Sequence, residues 1–481
     1  MDRSVHTLPP LATRLAQGRP VLNEEQVTTL AKRVISMTSA DIVQVYVTHT
    51  AQVVTRIADG KVLSSNDGDQ LMIQVWGQFG ARPGVNIVTN QYDDTALLAA
   101  VQRCEALART NMGAEEEARP QMRQVQDTFD PVALWHESTI KAMTAARETA
   151  IPELISAVTR EQLRAAGFVG FMARVQAVLT KEGAHAYYEE TDSEVTMTAR
   201  APDGTSSGWG GQAARDWSTL RYADVAAHAI EMAKRGIKPV ALEPGRRTAI
   251  LGPAAVVQIL RFLAGEFDGV ATHRGWTAFS RQPRGTKIGQ RVFDPRINMQ
   301  SDPADPEGGY APYFANGYAT RAMSWVENGV LKKLAFGPDA AMEHGVAYAV
   351  NPYSLRVSGG STSIEQMIAQ CDEGIYVNRV SDVELIDLLS GLMTGVTRDG
   401  CFLIKHGKLE RPVKNFRFLD SPFFFLNRLQ ALGPTARAAF GYTPESPRGE
   451  AGAPTAWPRW PMIVPPMMVR DFNFSALADA V

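Results

Sequence analysis

Eight histidines offer the first chemistry in this sequence: His6, His49, His136, His185, His228, His273, His344 and His406. A protein zinc site needs three or four His, Cys or carboxylate ligands converging at about 2.0–2.3 Å. No two of these histidines share a helix-turn spacing, and the chain has no CxxC. His136-Glu137 opens like HExxH, but Ser138, Thr139, Ile140 and Lys141 follow without a second histidine. Each histidine is therefore read as an ordinary core or surface residue. Spacing leaves open a site assembled from distant histidines, because a site is a constellation in space.

Nucleophiles and phosphate cradles fare similarly. Gly204 to Gly208 satisfies GxSxG around Ser206, yet a nucleophile elbow needs a buried strand before the serine and a helix after it. Here a Pro-Asp-Gly turn precedes Ser206 and a returning strand is expected after it, so a hydrolase built on Ser206 is only an alternative. The overlapping run Gly208 to Ala213 imitates a dinucleotide fingerprint without the surrounding βαβ unit. Cys104 falls on the apolar face of a helix expected from about Asp94 to Arg109, with Leu97, Val101 and Ala108, and is read as a small buried hydrophobe. Gly359 and Gly360 are expected to supply positive φ, as is Gly204. Trp457 and Trp460, set among prolines, are candidates with Gly359 and Gly360 for contact with a peptide or another subunit.

Bulk properties exclude several classes. The chain has 481 residues, 45% hydrophobic and 21% charged, with formal net charge -2. Lys and Arg are spread along it, which argues against nucleic acid as a partner. Three cysteines, Cys104, Cys371 and Cys401, do not make a disulfide framework and fit a reducing compartment. Neither a signal-peptide core nor a run of about 20 apolar residues is present. No membrane partner is expected, and the cytoplasm is the expected location.

The elements that must position these residues divide the chain in three. Residues 1–22 read as an arm, 23–240 as an N-terminal α/β domain and 241–481 as a β-rich C-terminal domain, an α+β chain overall. Asn23 with Gln26 marks a capping box, and Asp59-Gly60, Asn328-Gly329 and His406-Gly407 mark hairpin turns. Thr362 and Glu365 are expected to box a short helix, and a helix is expected within 421–434. From Gly252-Pro253 the sequence PAAVVQILRFLAGEFDGV reads as a helix with an apolar stripe through Val256, Ile259, Leu260, Leu263, Phe267 and Val270.

The order of segments resembles the TldD/PmbA peptidases, in which PmbA is also called TldE. The first half carries TRIADGKV, GARPGVNIVTNQYDDTALLAAV and PDGTSSGWGG. The second carries HRGWTAFSRQPRGTKIG, ENGVLKKLAFGPDAAMEHG, SGGSTSIEQMI, DEGIYV and LIKHGKLERPVKNFRF. The resemblance implies a partly barrel-like C-terminal domain. In catalytic TldD-type subunits an HExxxH motif precedes the segment like HRGWTAFS and holds zinc with a distant cysteine. The matching positions here are Leu260, Arg261 and Gly265, and no cysteine lies between 445 and 460. The resemblance therefore implies a TldE-like subunit with no catalytic or metal residue and no cofactor of its own. Zinc would lie in a TldD-like partner, joined as a heterodimer around a peptide substrate. A stand-alone homodimeric peptide-binding protein is the alternative assembly.

Overall fold

The computed structural model describes residues 8–80, 82–111, 132–281, 283, 285–313, 318–349, 352, 354–439 and 461–478. Its first half opens with α1 (Leu11–Ala16) and α2 (Glu24–Ser36), followed by β1 (Ile42–Ala58), β2 (Lys61–Gln78), β3 (Val85–Thr89) and α3 (Asp94–Thr110). Next come α4 (Glu137–Ala145), α5 (Ala150–Arg160), β4 (Arg164–Thr180), β5 (His185–Arg200), β6 (Ser207–Ala214) and α6 (Tyr222–Arg235). Asn23 starts α2 as expected, accepting from Gln26 N while the Gln26 side chain returns to Asn23 N, which satisfies two orphan donors. Asp59 and Gly60 both take positive φ, 49° and 73°, the pattern of a type I′ turn, and so join β1 to β2 without splaying them.

The six strands form one antiparallel sheet in the order β3-β2-β1-β4-β5-β6. The helices bury their apolar stripes against it: Val27, Leu30, Ala31 and Val34 of α2, Leu97, Val101 and Cys104 of α3, and Val225, Ala226, Ala229 and Ala233 of α6 all enter one core with Val45, Val47, Val169 and Val195. The glycines of the run after Ser206 serve this packing. A Cβ at Gly208 would lie 2.2 Å from Ala229 O, and one at Gly210 2.3 Å from Val225 O. Only a residue without a side chain lets α6 approach β6 so closely.

The second half begins with β7 (Gly245–Leu251), α7 (Pro253–Leu260), α8 (Leu263–Glu266) and α9 (Gly269–His273). Then follow β8 (Met299–Ser301), β9 (Met323–Glu327), β10 (Val330–Leu331), α10 (Pro338–Glu343), β11 (Leu355–Val357) and α11 (Ile364–Gln370). The chain continues through β12 (Glu373–Asp387), β13 (Leu392–Lys405), β14 (Lys408–Pro412), β15 (Phe416–Asp420), α12 (Pro422–Phe425), β16 (Leu429–Leu432), β17 (Ala436–Arg437), β18 (Met462–Val464) and β19 (Met467–Leu477). β12 pairs in parallel with β7, β7 with β19, β19 with β15, β15 with β13, and β13 returns to β12. Five strands thus close a barrel with no free edge. Its interior holds Phe416, Phe418, Phe472 and Phe474, whose rings meet at 5.1–5.5 Å between centroids. The mixed α+β class with a barrel in the C-terminal half is the one expected.

Three local expectations change. The short helix after Gly360 is capped by Ser363 with Gln366, one residue later than the Thr362–Glu365 box. The helix expected within 421–434 is only the single turn of α12, because Leu429 to Leu432 is drawn into pairing with β19. Long-range pairing here overrides local helix propensity. No helix among the described residues is long and apolar enough to cross a membrane.

Candidate functional site

The segment corresponding to the expected metal helix is three helices rather than one. Gly252 and Pro253 start α7. The helix breaks after Leu260, α8 makes one turn, and Asp268 caps α9 by accepting from Ala271 N at 2.8 Å. The turn from α8 into α9 follows from a backbone tie: Ala335 N donates to Phe267 O and Gly269 N to Ala335 O, both at 2.7 Å. Gly269 must be glycine there, since a Cβ would lie 2.2 Å from the Phe336 ring.

Leu260, Arg261 and Gly265 consequently do not share a site. Leu260 is 0% exposed in the barrel core. The Arg261 guanidinium lies 4.9 Å from the Phe262 ring centroid. Gly265 is exposed, and a Cβ there would touch nothing within 4 Å. A leucine, a guanidinium and a hydrogen supply no metal ligand, so these positions do not fit zinc. Among the described residues no group of three or more His, Cys, Asp or Glu is placed to hold a metal ion.

Glu266, next along, was not singled out by its spacing. Its carboxylate accepts from Ala278 N at 2.7 Å and is 3% exposed. Burial pushes its pKa up to about 7, with Asp387 adding to the rise. The signal in the sequence is an acid set between the apolar residues Leu263 and Phe267. A frame of hydroxyls stiffens the neighbouring turn: Thr272 Oγ1 and Thr277 Oγ1 lie 2.8 Å apart, and Ser280 Oγ donates to Thr272 O at 2.8 Å. Beside it opens a groove of about 600 Å³ lined by Gly275, Trp276 and residues 385–389 of the β12–β13 hairpin. Trp276, Ile386 and Leu388 are each more than half exposed, and Asp387 puts a carboxylate on the wall.

The other candidates resolve into structural roles. Ser206 is buried and its hydroxyl donates to Ala233 O near the end of α6; no histidine is its partner. Gly359 and Gly360 do not take positive φ, although Gly204 does at 74°. They are glycine because the chain passes against the Leu432–Gly433 backbone, where a Cβ at Gly360 would lie 2.3 Å from Leu432 O. Trp457 and Trp460 lie outside the described residues. The three thiols are free and buried, and burial pushes Cys104 up to about 11 and Cys401 up to about 12, so neither is a thiolate at neutral pH.

Among the described residues the histidines are dispersed with one exception. His49 is buried against Asp69, His228 Nε2 lies 2.9 Å from Asn378 Oδ1, and His406 Nδ1 lies 2.9 Å from Asp372. His273 and His344, distant in sequence, come together with ring centroids 4.6 Å apart.

Residues 244–476 match the family model of the PmbA/TldA metallopeptidase C-terminal domain. No curated protein matches the chain in sequence. Among the solved structures that share its fold are three that each cover 93% of this chain and 99% of their own. They are a protein from Thermotoga maritima named as a modulator of a DNA gyrase (TM-score 0.77, 15% identity), TldE from Thermococcus kodakarensis (0.73, 14%) and a protein from Bacteroides thetaiotaomicron named as a modulator of DNA gyrase (0.70, 14%). Residues 244–476 thus carry the C-terminal domain of the TldD/PmbA family, within a fold that these structures share over nearly all of the chain.

Proposed function

We propose that this chain is a noncatalytic, TldE-like subunit of a two-subunit zinc peptidase that acts in the cytoplasm on short, unfolded or modified peptides. The observation that carries this reading is the chemistry at Leu260, Arg261 and Gly265: one position is sealed in the core, one bears a cation and one bears no side chain. A guanidinium near a divalent ion would also repel it. Zinc is then held by a TldD-like partner, and this chain completes the chamber and orients the peptide. The groove beside Trp276 supports that role, since apolar walls with a single carboxylate suit an extended chain with one apolar side chain seated and one donor satisfied. One of the structures sharing its fold is named TldE.

The test is coexpression with a chain of the same family that bears HExxxH. A stoichiometric heterodimer should form, zinc should follow the partner, and peptide cleavage should require both chains. Chelator-sensitive cleavage by this chain alone would overturn the reading, as would a homodimer that persists when the partner is supplied.

A further inference from the structure

His273 is the last residue of α9, and His344 is the C-cap of α10. Their side chains meet on the surface. The ring centroids are 4.6 Å apart and the planes are inclined at 33°. The Phe336 ring backs both, at 5.9 Å from His273 and 5.2 Å from His344. Both histidines are exposed, and neither imidazole hydrogen-bonds to a described residue.

The backbone holds the pair in place from below. Gly269 N donates to Ala335 O at 2.7 Å, Phe336 N to Ala349 O at 2.9 Å, and Ala349 N to Phe336 O at 3.1 Å. The strand-like bridges Asp268–Ala335 and Phe336–Ala349 thus clamp the starts of both helices to one backbone frame. The nearest cation in sequence, Arg274, is engaged over the Trp276 ring at 5.1 Å.

Imidazoles bound at about 2.0–2.1 Å on neighbouring positions of one ion hold their ring centres about 4.5–5 Å apart. The observed separation falls in that interval before any metal is added. We propose that His273 and His344 form a two-imidazole site for a borderline divalent transition-metal ion, with the remaining coordination positions open to water or an external ligand. Imidazole suits copper, nickel and zinc, and copper(II) leads the affinity order. Such a site would brace α9 against α10 at one end of the segment that includes Glu266. It is distinct from the family's zinc positions, since Leu260 is enclosed in the core.

The experiment uses the intact chain and copper(II) alone. Titration against a competing chelator should reveal one site in excess of adventitious surface binding. His273→Ala and His344→Ala should each weaken that site by about tenfold or more, because each removes the second, intramolecular ligand. Both residues are exposed, so folding should survive, and His344→Gln serves as a second variant that keeps a polar side chain of similar length without the imidazole. At substoichiometric copper, the ring resonances of His273 and His344 should broaden together and before those of the other histidines. Affinity unchanged in both alanine variants, or broadening that falls first on other histidines, would overturn the site and reduce the pair to ring stacking. Neither result bears on whether the chain needs a catalytic partner.

Discussion

Arg437 and Asp192, 245 residues apart in sequence, form an ion pair at 2.6 Å in which both side chains are 6% exposed. Arg437 belongs to β17 in the second half and Asp192 to β5 in the first. The pair adjoins a second buried cluster. Burial alone would raise the Glu190 carboxyl, but Arg174 and Arg215 outweigh it and hold it at about 2. Arg215 also donates to Gly309 O, across the same seam. A few buried charges therefore lock the antiparallel sheet to the second half of the chain.

Removing one partner should be costly. Arg437→Ala leaves Asp192 buried without its counter-ion, and loss of one member of such a pair costs about 3–5 kcal/mol. Replacing both, as Arg437→Leu with Asp192→Leu, should recover much of that loss. Denaturant unfolding of the two variants checks the prediction, and equal stability of single and double variants would contradict it.

His49 should make the N-terminal arm sensitive to acid. Its Nδ1 accepts from Leu22 N at 3.0 Å, its Nε2 lies 2.8 Å from Asp69 Oδ1, and Arg14 pairs with the same carboxylate at 2.6 Å. Burial is the largest influence and pushes the imidazole down, against the pull of Asp69. A folded pKa below the unfolded value means the stabilisation is full above about pH 6.5 and is lost as pH falls through the lower folded value. Protonated His49 could no longer accept from Leu22. Amide hydrogen exchange at Leu22, corrected for intrinsic rate, should show protection falling between about pH 7 and pH 5; constant protection across that window would refute the link.

Glu266 has the opposite sign. Its folded pKa of about 7 exceeds the unfolded value, so its contribution is best below the unfolded pKa and declines as pH rises through 7. Glu266→Gln keeps an acceptor for Ala278 N and carries no charge. It should match the parent near pH 4 and exceed it by about 1–3 kcal/mol near pH 8. Thermal unfolding at the two pH values decides it.

Gly360→Ala should destabilise although the residue is exposed. Its Cβ would fall 2.3 Å from Leu432 O, so the segment must move away from Gly433, whose carbonyl accepts from Gly360 N at 2.8 Å. A cost of about 1–3 kcal/mol is expected, the size of an overpacking strain. A neutral effect in denaturant unfolding would show that the two loops can part.

Restoring the family's ligand types should not restore zinc. The triple change Leu260→His, Arg261→Glu and Gly265→His places an imidazole at a position that is 0% exposed and another in open space, on helices that no longer run on continuously. Metal analysis should find no stoichiometric zinc, and the melting temperature should fall because a polar ring replaces a core leucine.

What a few neighbouring residues encode was legible in the sequence alone. The capping box at Asn23, the turns at Asp59-Gly60, Asn328-Gly329 and His406-Gly407, and the apolar faces of α2 and α3 all depend on local φ preferences and periodicity. That Leu260, Arg261 and Gly265, the positions the family resemblance picks out, carry no metal-ligand side chain was readable as well. Tertiary structure decided the rest. The turn from α8 into α9 depends on Ala335, the strand at 429–432 on β19, the glycines at 359 and 360 on Gly433, and the meeting of His273 with His344 on the frame around Phe336. Each involves groups tens of residues or more apart. Their proximity is set by barrel closure and strand register, which no local period records.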